Sequence, residues 1–222
     1  HGGPFARDAE EWDWWVQFLA WRGYAVLQPN YRGSAGYGTA FAEKGEGQWG
    51  LAMQDDLNDA VDWAVQQGIA DPARVCMVGA SYGGYAAMRA AERDGAKYRC
   101  AVSYAGVSDL GAMMRYDRRF LYHGTRKDWM KEQAPDFASV SPISHAAQFS
   151  TPILLVHGRK DRRVQVGQSR EMAEKLKAAG KVEGKDYIYV EQPLADHHFT
   201  RQADRLDFLQ RLDSFLRDHN PA

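Results

Sequence analysis

Residues 74–92 read Arg74-Val75-Cys76-Met77-Val78-Gly79-Ala80-Ser81-Tyr82-Gly83-Gly84-Tyr85-Ala86-Ala87-Met88-Arg89-Ala90-Ala91-Glu92. The first five form a short, apolar, valine-containing run of the kind that makes a buried strand. Tyr85 onward has the alanine-rich composition of a helix packed closely on a sheet. Between them stands Gly79-Ala80-Ser81-Tyr82-Gly83, a G-x-S-x-G turn. At the carboxyl end of a strand this turn lifts a serine hydroxyl above the sheet, and its glycines remove Cβ atoms that would clash as the chain doubles back. The bare pattern also occurs in small-residue loops, so the reading of Ser81 as a nucleophile depends on what accompanies it.

Outward from this stretch, apolar runs at 24–29, 74–78, 100–105, 152–157 and 187–191 predict strands. Helical patterns occupy 10–22, 53–67, 84–93, 167–179 and 200–217. Alternation at this spacing predicts an α/β fold with a doubly wound, mostly parallel sheet covered on both faces. Residues 110–149 break the alternation and predict a helical excursion above the sheet. The length of 222 residues suits one domain with its own core. A formal charge of −1 without a basic stripe argues against nucleic-acid binding, and no apolar run reaches the roughly 20 residues of a membrane span. Cys76 and Cys100 both fall in predicted strands and are expected as buried free thiols; they do not identify a compartment.

A serine hydroxyl needs a general base and a third group to orient that base. In α/β hydrolases the acid follows a later strand and the histidine sits near the end of the chain. Asp161 ends the run 152–161 and is favoured as the acid, with Asp109 and Asp196 as rivals. His197 is favoured as the base over its neighbour His198. His157 is expected to pack or hydrogen-bond locally, while His123 and His145 lie in the excursion and His219 in the tail. An oxyanion hole needs N–H groups aimed at the developing charge. Tyr82, directly after the serine, and Gly3, in His1-Gly2-Gly3-Pro4, are the candidate donors. Tyr82, Tyr104 and Val107, with Phe120, Tyr122 and Trp129 of the excursion, are candidate walls of an apolar substrate pocket.

With these residues assembled, almost the whole chain resembles the catalytic domain of the prolyl oligopeptidase family of serine peptidases, most of all its acylaminoacyl-peptidase and dipeptidyl-peptidase-like bacterial members. The resemblance rests on HGGPF at 1–5, PNYRGSAGYG at 29–38, Gln54-Asp55-Asp56-Leu57, GASYGGYAA at 79–87, SPISHA at 141–146 and TPILLVHGRKDRRVQVGQS at 151–169. It implies an α/β-hydrolase domain over 1–222 that lacks its first strands, with Ser81, Asp161 and His197 as triad and Gly3 and Tyr82 as oxyanion donors. Short peptides would be cleaved through an acyl-enzyme without cofactor or metal. It further implies a β-propeller upstream in the same polypeptide, and the exposed first edge is a candidate surface for a homo-oligomer. His198 stands where the family usually has glycine. An esterase on the same fold and a non-catalytic binding module are the alternatives, and the compartment stays open.

Overall fold

The apolar runs at 74–78, 100–105, 152–157 and 187–191 become strands that pair in parallel. In the computed structural model, which describes residues 1–3, 5–119, 128, 130–134 and 136–222, they are β1 (Cys76–Ala80), β2 (Cys100–Tyr104), β3 (Ile153–Gly158) and β4 (Tyr187–Gln192). The sheet runs β1-β2-β3-β4. The described helices are α1 (Trp14–Trp21), α2 (Thr39–Glu43), α3 (Ala52–Gln66), α4 (Tyr82–Arg93), α5 (Leu110–Asp117), α6 (Phe137–Val140), α7 (Gly167–Ala178) and α8 (Gln202–His219), with a 3₁₀ segment at Pro142–Gln148.

Side-chain alternation along the strands feeds two layers. Ala101, Ile153 and Leu155 pack on Ala87, Met88 and Ala91 of α4 and on Met172 and Leu176 of α7. Val102, Tyr104, Leu154 and Val156 face the other way, onto Leu19 of α1 and Phe208, Leu212 and Phe215 of α8. Burial on both faces explains why β2 and β3 are mostly apolar instead of alternating. A third cluster joins α3 and α4 to the excursion through Met53, Leu57, Tyr82, Tyr85, Val107 and Leu110. Arg32 clamps Asp56 of α3 with two side-chain hydrogen bonds, at 2.7 and 2.5 Å.

Several boundaries differ from expectation. Helix α1 starts at Trp14, four residues late, because the Asp13 carboxylate accepts the N–H groups of Trp15 and Val16 and sets the cap there. The run 24–29 is not a strand: no described segment pairs with it, and Val26 and Leu27 are exposed. An extended segment becomes a strand only when a neighbour satisfies its backbone groups. Phe120, Tyr122, His123 and Trp129 lie outside the described residues.

Cys76 and Cys100 are not free thiols. The parallel register places them directly opposite each other, Cα atoms 4.7 Å apart, and they form a disulfide. Thiol titration should therefore find Cys76 and Cys100 unreactive in the native state, and both reactive after reduction under denaturing conditions. Closing this loop stabilises by about 3 kcal/mol, which lowers the thermal midpoint of a Cys76→Ala/Cys100→Ala variant by roughly 6–12 °C. Two reactive thiols in the untreated native protein would contradict the pairing.

Candidate active site

Strand β1 runs two residues further than predicted and α4 begins at Tyr82, so the turn between them is Ser81 alone. Ser81 adopts φ 56°, ψ −115°, a region that non-glycine residues occupy at a cost of order 1–3 kcal/mol. The turn closes only because Gly79 lacks a side chain: a Cβ there would sit 2.4 Å from the carbonyl carbon of Gly83. Ser81 N–H donates to the Tyr104 carbonyl at 2.9 Å. Ser81 is partly exposed, and its hydroxyl makes no hydrogen bond among the described residues. As the first residue of α4, Tyr82 has an N–H with no intrahelical partner.

The His1-Gly2-Gly3 loop lies against this turn. A Cβ on Gly2 would approach Ser81 Cβ to 3.3 Å, whereas the space around Gly3 is open, at φ +87°. The loop is held from behind. Tyr31 donates to the His1 carbonyl at 2.8 Å and stacks on the imidazole with centroids 4.3 Å apart. His1 Nε2 donates to Ser34 Oγ at 2.7 Å, whose own hydrogen goes to the Tyr31 carbonyl. The HGGPF and PNYRGS motifs thus form one unit.

Asp161 follows β3 and is the acid that meets a histidine. Its Oδ2 accepts from His197 Nδ1 at 2.7 Å, with the carboxylate side chain fully buried and the imidazole 9% exposed. Its Oδ1 accepts the N–H groups of Arg163 and Val164, each at 2.8 Å. Burial alone would raise the Asp161 pKa. Hydrogen bonds from His157 and His197, the charge of His197 and the Val164 N–H outweigh it and hold the carboxyl well below the usual range. With Nδ1 donating to a carboxylate, His197 keeps Nε2 as a proton acceptor.

The rivals are occupied elsewhere. Asp109 caps α5 through the Ala112 N–H, and Asp196 accepts from the backbone of His198 and Thr200 and from the Thr200 hydroxyl. His198 is exposed, its ring edge-on to His197 at 5.1 Å. His157 does bond locally, to the Val164 carbonyl and Ser169 Oγ, but its Nε2 also lies 3.4 Å from Asp161 Oδ2. Sequence reasoning missed that second contact; its only signal was the spacing of four residues to the acid. Tyr82 and Val107 share one apolar cluster, with the Tyr82 ring buried against Tyr31, Trp49 and Tyr85. Tyr104, expected beside them, belongs to the cluster on the opposite face of the sheet. Successive residues of a strand point to opposite faces, and Tyr104 faces α8. Among the described residues no group of His, Cys, Asp and Glu could hold a metal ion.

Known proteins resemble this chain in sequence and fold. The sequence profile of the prolyl oligopeptidase family matches residues 10–220, and the chain belongs to that family. It is 34% identical over 230 aligned residues to dipeptidyl aminopeptidase BIII of Pseudoxanthomonas mexicana, covering 97% of this chain and 32% of that protein. To the acylamino-acid-releasing enzyme of Arabidopsis thaliana it is 31% identical, over 94% of this chain and 28% of the relative. A puromycin-hydrolyzing peptidase of Mycobacterium tuberculosis superposes with a TM-score of 0.89 at 28% identity, over 99% of this chain and 33% of the other. The fold is that of the α/β hydrolases, and the chain spans about a third of the length of the curated relatives it matches.

The depressed Asp161 pKa fixes a sign. The unfolded chain takes up this proton first as pH drops, so the stabilisation is complete above the ordinary aspartate pKa of about 3.9 and is lost below it. In urea titrations Asp161→Asn should be less stable than wild type at neutral pH, and the gap should narrow below about pH 4. A gap that stays constant into strong acid contradicts the assignment.

Proposed function

We propose that this member of the prolyl oligopeptidase family is the catalytic domain of a serine peptidase that cleaves short peptides near their amino end, blocked or free. The observation that carries the proposal is the buried Asp161–His197 hydrogen bond at 2.7 Å, in a chain whose Ser81, on a strand-to-helix turn, has a left-handed φ and is partly exposed.

In this reading His197 Nε2 removes the Ser81 proton as Oγ attacks the scissile carbonyl. The N–H groups of Tyr82 and Gly3 receive the oxyanion, and Asp161 stabilises the imidazolium. His197 then gives its proton to the leaving amine, and water attacks the acyl-enzyme by the same route in reverse. Tyr82 and Val107, together with Leu110, Met114 and Val164, back an apolar subsite for the residue before the scissile bond. The relatives release dipeptides or acylated amino acids by name, which supports an amino-terminal mode of attack. A β-propeller in the same polypeptide, implied by the resemblance, would restrict access to short chains.

Ser81→Ala should fold normally and lose roughly 10⁵- to 10⁶-fold in kcat. Hydrolysis of a matched aminoacyl ester and anilide separates the chemistries: turnover of both supports a peptidase, and turnover of the ester alone identifies an esterase on this fold.

A further inference from the structure

Among the described residues, three non-glycine residues adopt left-handed φ: Ser81 at 56°, Ala105 at 48° and Phe199 at 52°. All three meet at Tyr104. Its carbonyl accepts the Ser81 N–H at 2.9 Å, Ala105 is its chain neighbour, and its ring stacks on Phe199 with centroids 3.8 Å apart and planes within 20°. Its hydroxyl donates to the carbonyl of Asp196 at 2.6 Å. Ser81 is thus tied to the main chain of Tyr104, and the loop 196–199, which carries His197, to its side chain.

We propose that Tyr104 is a positioning residue that sets the placement of the base relative to the nucleophile, a role that rests on the triad reading above. The sheet supplies the rigid reference. Tyr104 pairs with Ala80 of β1 and with Val156 of β3, and the Ala105 N–H donates to the Val156 carbonyl at 2.9 Å. The ring is fully buried, edge-on to Phe208 of α8. Left-handed backbone at alanine or phenylalanine persists only where the surroundings impose it. At Phe199 the stacked Tyr104 ring and the bonded Asp196 carbonyl, three residues apart, do so. Phenylalanine at 104 would keep the stack and lose the tether. Burial first, then the charges of Asp161, Asp196 and Asp204, hold the phenol protonated and therefore a donor.

Without the hydroxyl, His197 is free to drift from both Asp161 and Ser81. The titratable groups around the loop are Asp161 and His157 behind it, Asp196 and His198 on it, and Asp204 on α8. Of these, only Asp161 hydrogen-bonds to the imidazole, so loosening their contact makes the imidazolium less favourable.

The test is Tyr104→Phe in the active enzyme, with rates normalised to sites titrated by an active-ester burst. Expected are a fall in kcat of about 10- to 100-fold with KM within about two-fold, a shift of the acid limb of kcat/KM to lower pH, and loss or upfield movement of the low-field Nδ1–H proton resonance of His197. A merely structural role would lower the number of titrated sites and leave kcat per site, the pH limb and the resonance in place, which would overturn the proposal. If wild type itself forms no acyl-enzyme, the triad reading fails and this inference with it. If wild type acylates and Tyr104→Phe matches it in all three readouts, only the inference fails.

Discussion

The parallel register of the sheet is the constraint from which the site follows. Because β1, β2 and β3 run the same way and pair Ala80 with Tyr104 and Tyr104 with Val156, their carboxyl ends finish at one edge. Ser81, Tyr104 and the Asp161 turn are delivered there together, at the place where open α/β sheets meet their ligands. The loop that carries His197 joins them by direct contact with β3. Lys160 N–H donates to the Ala195 carbonyl at 2.9 Å, and a Cβ on Gly158 would stand 2.3 Å from that carbonyl oxygen. The glycine of the strand end is thus what lets the histidine loop close on the acid.

Electrostatics complete what geometry begins. A buried carboxylate with a single partner would tend to take up a proton. Asp161 instead meets two backbone N–H groups and His197, with His157 at the margin, and stays ionised. The tautomers follow from the acceptors. His157 Nε2 faces a carbonyl and a carboxylate and must carry a hydrogen, and its Nδ1 hydrogen-bonds with Ser169 Oγ at 2.7 Å. Asp161 is therefore surrounded by donors, and only one nitrogen of His197 is engaged by it.

The strand, glycine turn and helix around Ser81 were legible because their signals are local: apolar text, glycines where Cβ atoms collide, alanines on a packed face. Position favours Asp161 and His197, since topology constrains which strand ends reach the serine. What could not be read depends on partners distant in sequence. The 24–29 run has strand composition, but pairing is a property of two segments. Cys76 and Cys100 looked like two buried thiols until register set them opposite each other. In the sequence Tyr104 is a candidate pocket wall at the end of an apolar run, and its tether to Asp196 spans 92 positions. The Tyr104 contact with Phe199, a residue with left-handed φ, has no signature in the sequence.

The central claim is that Ser81 is made nucleophilic by His197 and Asp161. It is tested most directly by reacting the enzyme with a fluorophosphonate and mapping the adduct by peptide mass spectrometry, in wild type and in His197→Ala. A single adduct on Ser81 is expected in wild type, with labelling slowed by orders of magnitude in the variant. An adduct on another residue, or equal rates in the two proteins, would contradict it.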